Sequence, residues 1–261
     1  MLQRLEERVR EIKHTHTKQA RAPKSMDDFW MQQGWYKKRG GRAEWHPKWV
    51  RRDAIRFLVN DVLRKDPREI TKEDFRNNKL GGLLFNYFKN SPYGALRAAG
   101  FELLPWEMTT TPHKFYEKKA NRIVAVNWLV ERLDKDIRDI THEDFTLYGL
   151  GGLLNNHYYD SPYKALQDAG YKILPWEMKD TPQKFYEKKE HRVAAVKWLI
   201  RKLKKAPRDI KRKDFQNNGL GGLLSNHHNS SAYEALVEAG LVSRRDEAYM
   251  RSHGHRSNPS N

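Results

Sequence analysis

The chain has 261 residues, a formal net charge of +17 at pH 7, a pI near 9.9 and no cysteine. Without cysteine there can be no disulfide, zinc–thiolate site or thiol nucleophile. No apolar run approaches the roughly 20 residues that span a bilayer, and the charged N-terminus lacks the apolar core of a signal peptide. We therefore expect a cytoplasmic protein with no membrane partner. The positive charge favours a polyanionic partner, although a basic surface that only solvates the protein stays an alternative.

The motif LGGLL occurs three times, starting at residues 80, 150 and 220, so the period is 70 residues with no insertion or deletion. A period of this size is typical of a repeat architecture. We predict an all-α fold of three tandem 70-residue helical repeats preceded by an aromatic, basic N-terminal cap. The predicted segments are an N-terminal helix and basic arm (1–25), the cap (26–52), three repeats (53–120, 121–190 and 191–245) and a disordered tail (246–261).

The cap alternates aromatic residues with Lys37, Lys38, Arg39 and Arg42. Shifting the sequence by one period aligns Trp45 with later aromatic residues, and terminal repeats commonly carry atypical caps. We favour core packing for most of the cap tryptophans. Stacking of these aromatic residues on exposed bases is the alternative.

Each repeat begins with apolar residues spaced i, i+3, i+4 and i+8, as at Ala125, Trp128, Leu129 and Leu133, which predicts one buried helical stripe. A short helix follows, starting at Thr71 in the first repeat, and its adjacent carboxylates suit the positive first turn of a helix. These carboxylates resemble paired catalytic acids, but the third repeat replaces the first of them with lysine. We therefore predict a structural role.

Two consecutive glycines would cost about 2 kcal/mol inside a helix, which places Gly81-Gly82 at a turn or a helix start. A short helix, a glycine turn and a second short helix over residues 83–88 match a helix-turn-helix-like unit, with equivalents at 153–158 and 223–228. A serine-capped helix then ends at a glycine in each repeat. The Thr-Pro starts at Thr111 and Thr181 predict continuous helices of about 22 residues that lead into the next repeat.

The pattern DxRDI, LGGLL and SPYxALxxAG resembles the small helical DNA-binding repeats that accompany homing endonucleases. The SPYxA…PWE portion is also similar to an uncharacterised bacterial repeat family. The resemblance covers about residues 53–245 and implies a unit that contacts DNA. No HNH or GIY-YIG nuclease motif is present, so the resemblance implies binding without catalysis.

The three repeats separate framework positions from candidate contact positions. Asn86, Asn156 and Asn226 are identical, and we interpret them as framework rather than as adenine readers, although asparagine suits adenine. Positions that differ between repeats are the better candidates for base contacts: Phe85, Tyr87 and Phe88; Asn155, His157 and Tyr158; Ser225, His227 and His228. The turn before the second short helix adds donors for phosphates or bases: Arg76, Asn77, Asn78 and Lys79, with Gln216, Asn217 and Asn218 in the third repeat.

We predict no metal site and no cofactor, because the adjacent histidines at 227 and 228 point about 100° apart on a helix and no acidic ligand completes a set. No nucleophile motif is present, so we predict a protein that is not an enzyme. The leading prediction is a sequence-specific or regulatory binder of duplex DNA that acts in transcription regulation and is associated with the nucleoid. RNA or ribosome binding and a protein-interaction scaffold are the alternatives. The sequence makes no prediction about oligomeric state.

Overall fold

A computed structural model describes residues 24–32 and 48–252, and every regular element within these two ranges is helical. The predicted all-α class is therefore confirmed for this part of the chain. The chain divides into two compact units, Met1–Phe115 and Tyr116–Asn261.

The first unit contains five α-helices in its described residues. They are α1 (Met26–Gln32), α2 (Lys48–Phe57, continued as a π-helix over Leu58–Leu63), α3 (Lys72–Asn77), α4 (Gly81–Phe88) and α5 (Pro92–Ala98). Fully buried Phe75, Leu83 and Leu84 from α3 and α4 pack in one apolar core with residues of α2 and α5. Phe29 of α1 joins this core by stacking on Phe57, with ring centroids 4.9 Å apart.

The second unit contains nine α-helices in its described residues. They are α6 (Lys119–Arg132), α7 (His142–Leu147), α8 (Gly151–Tyr158), α9 (Pro162–Asp168), α10 (Lys189–Leu203), α11 (Arg212–Asn217), α12 (Gly221–His227), α13 (Ala232–Glu238) and α14 (Glu247–Ser252). Phe145 on α7 and Phe215 on α11 are fully buried, as is Phe75 at the same place in the first repeat. Trp176 lies in the core with Trp198, and their ring centroids are 5.7 Å apart.

Capping residues fix where the short helices begin. Thr71 accepts a hydrogen bond from the Asp74 backbone N–H, and the Asp74 carboxylate accepts one from the Thr71 backbone N–H at 2.8 Å. This reciprocal arrangement is a capping box. Asp74 also accepts a hydrogen bond from Lys65 Nζ at 2.8 Å, and the same bond recurs at Lys135–Asp144 (2.6 Å) and Lys205–Asp214 (2.7 Å). The carboxylate that resembled a catalytic acid therefore caps the start of a helix and pairs with a lysine.

The predicted continuous helices of about 22 residues are wrong. Lys184 adopts a left-handed backbone with φ of 58°, Phe185–Glu187 form a 3-10 turn, and α10 begins only at Lys189. The Arg192 guanidinium donates hydrogen bonds to the carbonyl oxygens of Tyr186 at 2.8 Å and Glu187 at 3.0 Å. Arg122 bonds the carbonyl oxygens of Tyr116 and Glu117 in the same way. An arginine one turn into the helix therefore stabilises the break before it.

Several predicted boundaries also differ from the structure. Helices α2, α6 and α10 cross the boundaries expected after residues 52, 120 and 190, because the sequence period does not mark where a helix starts. The tail predicted from residue 246 is helical over Glu247–Ser252, where Met250 is fully buried, and residues 253–261 lie outside the described residues. In the cap, Trp49 is half exposed rather than core, while Trp35 and Trp45 lie outside the described residues.

Candidate nucleic-acid interface

The short helix α4 turns one face into the core and the opposite face outward. Leu80 closes the turn after α3 by donating its backbone N–H to the Phe75 carbonyl at 2.7 Å, and Leu83 and Leu84 are buried. The leucines of LGGLL therefore orient the helix. Positions spaced i, i+3, i+4 and i+7 on the opposite side share one face.

This outward face is exposed in all three copies of the helix. We call it the outer face, and it consists of Gly82, Phe85 and Asn86 on α4 with Lys89 after it; Gly152, Asn155 and Asn156 on α8 with Tyr159 after it; and Gly222, Ser225 and Asn226 on α12 with Asn229 after it. Phe85 is 64% exposed and Tyr159 is 83% exposed. Residues 89, 159 and 229 each have a left-handed backbone at the end of the helix.

The two glycines of each pair form the start of the helix, which begins two residues earlier than predicted, and they differ in what surrounds them. A Cβ on Gly81 would lie 3.4 Å from Cγ of Arg76, and one on Gly151 would lie 3.3 Å from Oγ1 of Thr146. A Cβ on Gly82, Gly152 or Gly222 would meet no atom within 4 Å. At Gly221 the nearest atom would be Cγ of Gln216 at 3.6 Å, so the first glycine of each pair lies against the preceding short helix, whereas the second faces open space.

The framework role expected for Asn86, Asn156 and Asn226 is wrong. All three are exposed, and none of them forms a hydrogen bond to the preceding turn within the described part of the chain. Their identity in three copies is therefore not a requirement of the local fold. The sequence analysis considered these residues as adenine readers and set that role aside, although their regular spacing from the second glycine was visible.

The framework role belongs instead to two residues that we expected to contact nucleic acid. Asn78 donates its side-chain amide to the Asp74 carbonyl oxygen at 2.8 Å, and Asn218 donates to the Asp214 carbonyl at 2.7 Å. Both side chains are half-buried and close the end of a short helix. Capping is the role that the structure shows for both amides; each keeps a second N–H and its oxygen, so their contact with nucleic acid stays a prediction.

Four other predicted turn residues are exposed: Arg76, Asn77, Gln216 and Asn217. Arg76 forms an ion pair with Glu73, and Lys79, also exposed, forms one with Asp27 at 2.7 Å. Exposed ion pairs of this kind contribute at most about 1 kcal/mol, so a phosphate can compete for the cation.

Tyr158 and His228 lie inside the second unit and not on the outer face, so their prediction as contact residues was wrong. Tyr158 is 5% exposed; its Oη donates to Asp168 Oδ2 at 2.7 Å and accepts from Arg122 Nε at 3.2 Å. Burial, reinforced by the bond to Asp168, raises the pKa of Tyr158 to about 12. Tyr158 follows buried Leu154 by four residues, so both side chains lie on the core side of the helix.

His228 occupies the equivalent place in the third copy. It is 4% exposed, and its Nε2 lies 3.3 Å from Oε2 of Glu238, whose carboxylate also accepts two hydrogen bonds from Arg192 at 3.0 and 2.5 Å. Burial holds the pKa of His228 below its ordinary value; the Arg192 charge acts in the same direction and the Glu238 charge opposes it. In the first copy the aligned residues are Phe88, which is half-buried, and Ala98.

The remaining predicted residues lie at the side of the outer face or beyond the described residues. Tyr87 is partly exposed beneath the guanidinium of Arg51, 4.3 Å from the ring centroid. His157 and His227 pack edge-on against Tyr116 and Tyr186. Lys37, Lys38, Arg39 and Arg42 lie outside the described residues.

The third copy carries a basic cluster that sequence reasoning did not select. Helix α11 is preceded by exposed Lys211 and begins with exposed Arg212 and Lys213, where the first copy has Thr71, Lys72 and Glu73. Within residues 24–32 and 48–252, neither Arg212 nor Lys213 forms an ion pair. The signal was the surplus of lysine and arginine in residues 191–240 of the sequence.

A scan of the chain against protein-family models, and searches of curated proteins and of solved structures, found no match. Within the described ranges, no helix is both long enough and apolar enough to cross a membrane. The same residues hold no group of three or more histidine, aspartate or glutamate side chains that could bind a metal ion.

Proposed function

We propose that this protein binds duplex DNA through three helix-turn-helix-like units arranged as tandem 70-residue repeats, and that it acts as a binder rather than as an enzyme. One observation carries the proposal. The outer faces of α4, α8 and α12 present Phe85, Asn155 and Ser225 on copies of one helix whose core leucines are identical. Exposed positions that vary on a constant scaffold are what base recognition requires.

In this proposal the second short helix of each unit enters the major groove. An α-helix fits that groove, and its exposed side chains then reach base edges. Arg76 and Lys79 beside α4, and Arg212 and Lys213 at the start of α11, contact the phosphates. The net charge of +17 supplies long-range attraction to the polyanion. The middle unit lacks this cluster of cations, so it contributes less to affinity.

A titration of the whole protein with mixed-sequence duplex DNA, followed by fluorescence anisotropy over a range of salt concentrations, tests the proposal. The logarithm of the association constant should fall linearly with the logarithm of salt, with a slope of about −0.9 for each phosphate neutralised. Reversing both charges of the α11 cluster, as Arg212→Glu with Lys213→Glu, should reduce the slope and the affinity together. A protein that fails to bind DNA at low salt would contradict the proposal.

A second candidate function is binding to structured RNA. Phe85 on α4 and Tyr159 after α8 are strongly exposed aromatic residues, and unstacked RNA bases pack on such side chains. Competition between a duplex DNA and an RNA hairpin of matched length distinguishes the two functions. If RNA displaces DNA at much lower concentration, the RNA function is the correct one.

A further inference from the structure

We propose that the second glycine and the asparagine of each outer face together form a contact with the sugar–phosphate backbone of DNA. The residues are Gly82 with Asn86, Gly152 with Asn156, and Gly222 with Asn226. We call each of these a Gly–Asn pair. The proposal deepens the DNA-binding function and rests on it, because it says which part of the outer face meets the backbone and which part meets the bases.

The fold does not require the second glycine of each pair. Gly82, Gly152 and Gly222 lie in the first turn of a helix and do not have a positive φ, so their backbone suits any residue. A Cβ at each position meets open space. Because alanine forms helices better than glycine, three glycines at this position are a disadvantage for the isolated protein.

We infer that a glycine that the fold does not require serves contact with a binding partner. Without a Cβ, the helix backbone can come closer to a partner, and glycines commonly mark such approaches. The neighbouring Gly81 is a built-in comparison, because its own missing Cβ leaves room for the Arg76 side chain. Only the second glycine of the pair therefore points to an external partner.

The asparagine of each pair lies on the same side of its helix as the glycine. Asn86 follows Gly82 by four residues, so the two lie on one side of α4, and the same spacing holds on α8 and α12. The three asparagines are exposed, and none is used by the preceding turn. Asn226 Oδ1 accepts a hydrogen bond from Ser225 Oγ at 3.2 Å, and the side-chain NH2 of each asparagine is available to a partner that approaches over the glycine.

The identity of the Gly–Asn pair in all three copies indicates the kind of partner. A contact that is identical in three copies does not depend on the base beside it, whereas residues 85, 155 and 225 between the paired positions are Phe, Asn and Ser. The repeated, base-independent part of DNA is its phosphodiester backbone, and amide groups of asparagine are common donors to it. The net charge of +17 matches this anionic strand.

Two triple variants of the full chain test the inference against mixed-sequence and several defined DNA duplexes. The first is Gly82→Ala with Gly152→Ala and Gly222→Ala; the second is Asn86→Ala with Asn156→Ala and Asn226→Ala. Ala194→Val is the matched control for added bulk, because it enlarges an exposed residue on α10, at the position where α6 already has Val124.

We expect the glycine variant to melt at the same or a higher temperature than the wild type and still bind DNA at least about tenfold more weakly. The asparagine variant should lose a similar factor on every duplex with no change in the salt slope, since a neutral amide releases no counterions. The control should bind as the wild type does.

Two results would overturn the inference while leaving DNA binding intact. In one, the wild type binds DNA and the glycine variant, still folded, binds equally well. In the other, the asparagine variant loses affinity only for duplexes of particular sequence, which would assign the amide to adenine readout. If the wild type itself binds no duplex DNA at low salt, the proposed function fails instead.

Discussion

The phenol of Tyr158 is 2.7 Å from the carboxylate of Asp168, and the guanidinium of Arg122 donates to the same phenol at 3.2 Å. Three polar side chains from α6, α8 and α9 are thus joined beneath the outer face. This small network holds the helix that we propose as a recognition helix. Substitutions in this network should therefore change stability and leave DNA binding unchanged, because its residues are not on the surface that would meet DNA.

Tyr158→Phe should destabilise the protein without changing DNA affinity. The substitution removes the hydroxyl and leaves the half-buried Asp168 and Arg122 with one partner fewer, which costs about 1 to 3 kcal/mol. Urea unfolding followed by circular dichroism measures the loss. The adjacent Tyr159→Phe is the control: Tyr159 is exposed, so this variant should unfold at the same urea concentration as the wild type. A Tyr158→Phe variant that is as stable as the wild type but binds DNA more weakly would indicate that Tyr158 contacts DNA.

The stability of the fold should fall as the pH drops from neutral to about 5, and His228 should account for part of this loss. Burial lowers the pKa of His228 in the fold, so below the ordinary value of 6.5 the unfolded chain binds protons that the folded chain does not. Stability is thus retained above that pH and lost below it. His157, whose pKa is also lowered, first by burial and then by Arg122, adds to the same trend.

The variant for this test is His228→Phe, which introduces the residue that the first copy carries at this place. Its unfolding free energy should vary less between pH 7 and about 5 than that of the wild type. His227→Phe is the control, because His227 is exposed. Equal pH dependence in the wild type and His228→Phe would show that His228 is not the titrating group.

Lys211→Thr should stabilise the protein. In the first copy Thr71 Oγ1 accepts a hydrogen bond from the backbone N–H of Asp74 at 3.3 Å. In the third copy the Asp214 N–H instead bonds the Lys211 backbone carbonyl at 2.9 Å, and the Lys211 N–H donates to the Asp214 carboxylate at 2.8 Å. Threonine would add a side-chain acceptor for the helix N-terminus and contribute about 1 kcal/mol. Thermal melting measures the gain, and Lys211→Val, which has the same shape without the hydroxyl, should not show it. If valine stabilises as much as threonine, the cap is not the cause.

Exchanging the variable residues of two outer faces should alter which DNA is preferred and leave the fold unchanged. Phe85→Ser and Ser225→Phe replace exposed residues with those found on the other copy, so each should change the unfolding free energy by less than about 0.5 kcal/mol. Selection of bound duplexes from a random pool measures the preference. Identical selected sequences for the wild type and the double exchange would argue against base reading at these positions.

Much of the local structure follows from the sequence because short-range rules determine it. The caps at Thr71 and Ser91 and the buried phenylalanines Phe75, Phe145 and Phe215 lie where pattern and capping chemistry predict. These features depend on residues three or four positions apart. One sequence therefore contains the information that fixes them.

What the sequence did not predict depends on which of several available partners a side chain bonds in the folded protein. The break before α10 needs Arg192 to bond carbonyl oxygens five and six residues earlier and Glu238 46 residues later. Asn218 could have been read as a base contact or as a cap, and only the position of the Asp214 carbonyl shows that it caps the helix. The exposed side of α4 likewise follows from which leucines reach the core.

The interior place occupied by Tyr158 shows how the copies have diverged. Phe88 is aligned with Tyr158 and His228, and Ala98 is aligned with their partners Asp168 and Glu238. An apolar side chain is matched with a methyl group, a phenol with a carboxylate, and an imidazole with a carboxylate. Each change at one position has been accompanied by a change at the other. A chimaera of these copies must therefore transplant both members together, because a mixed set would bury a charge opposite a hydrocarbon.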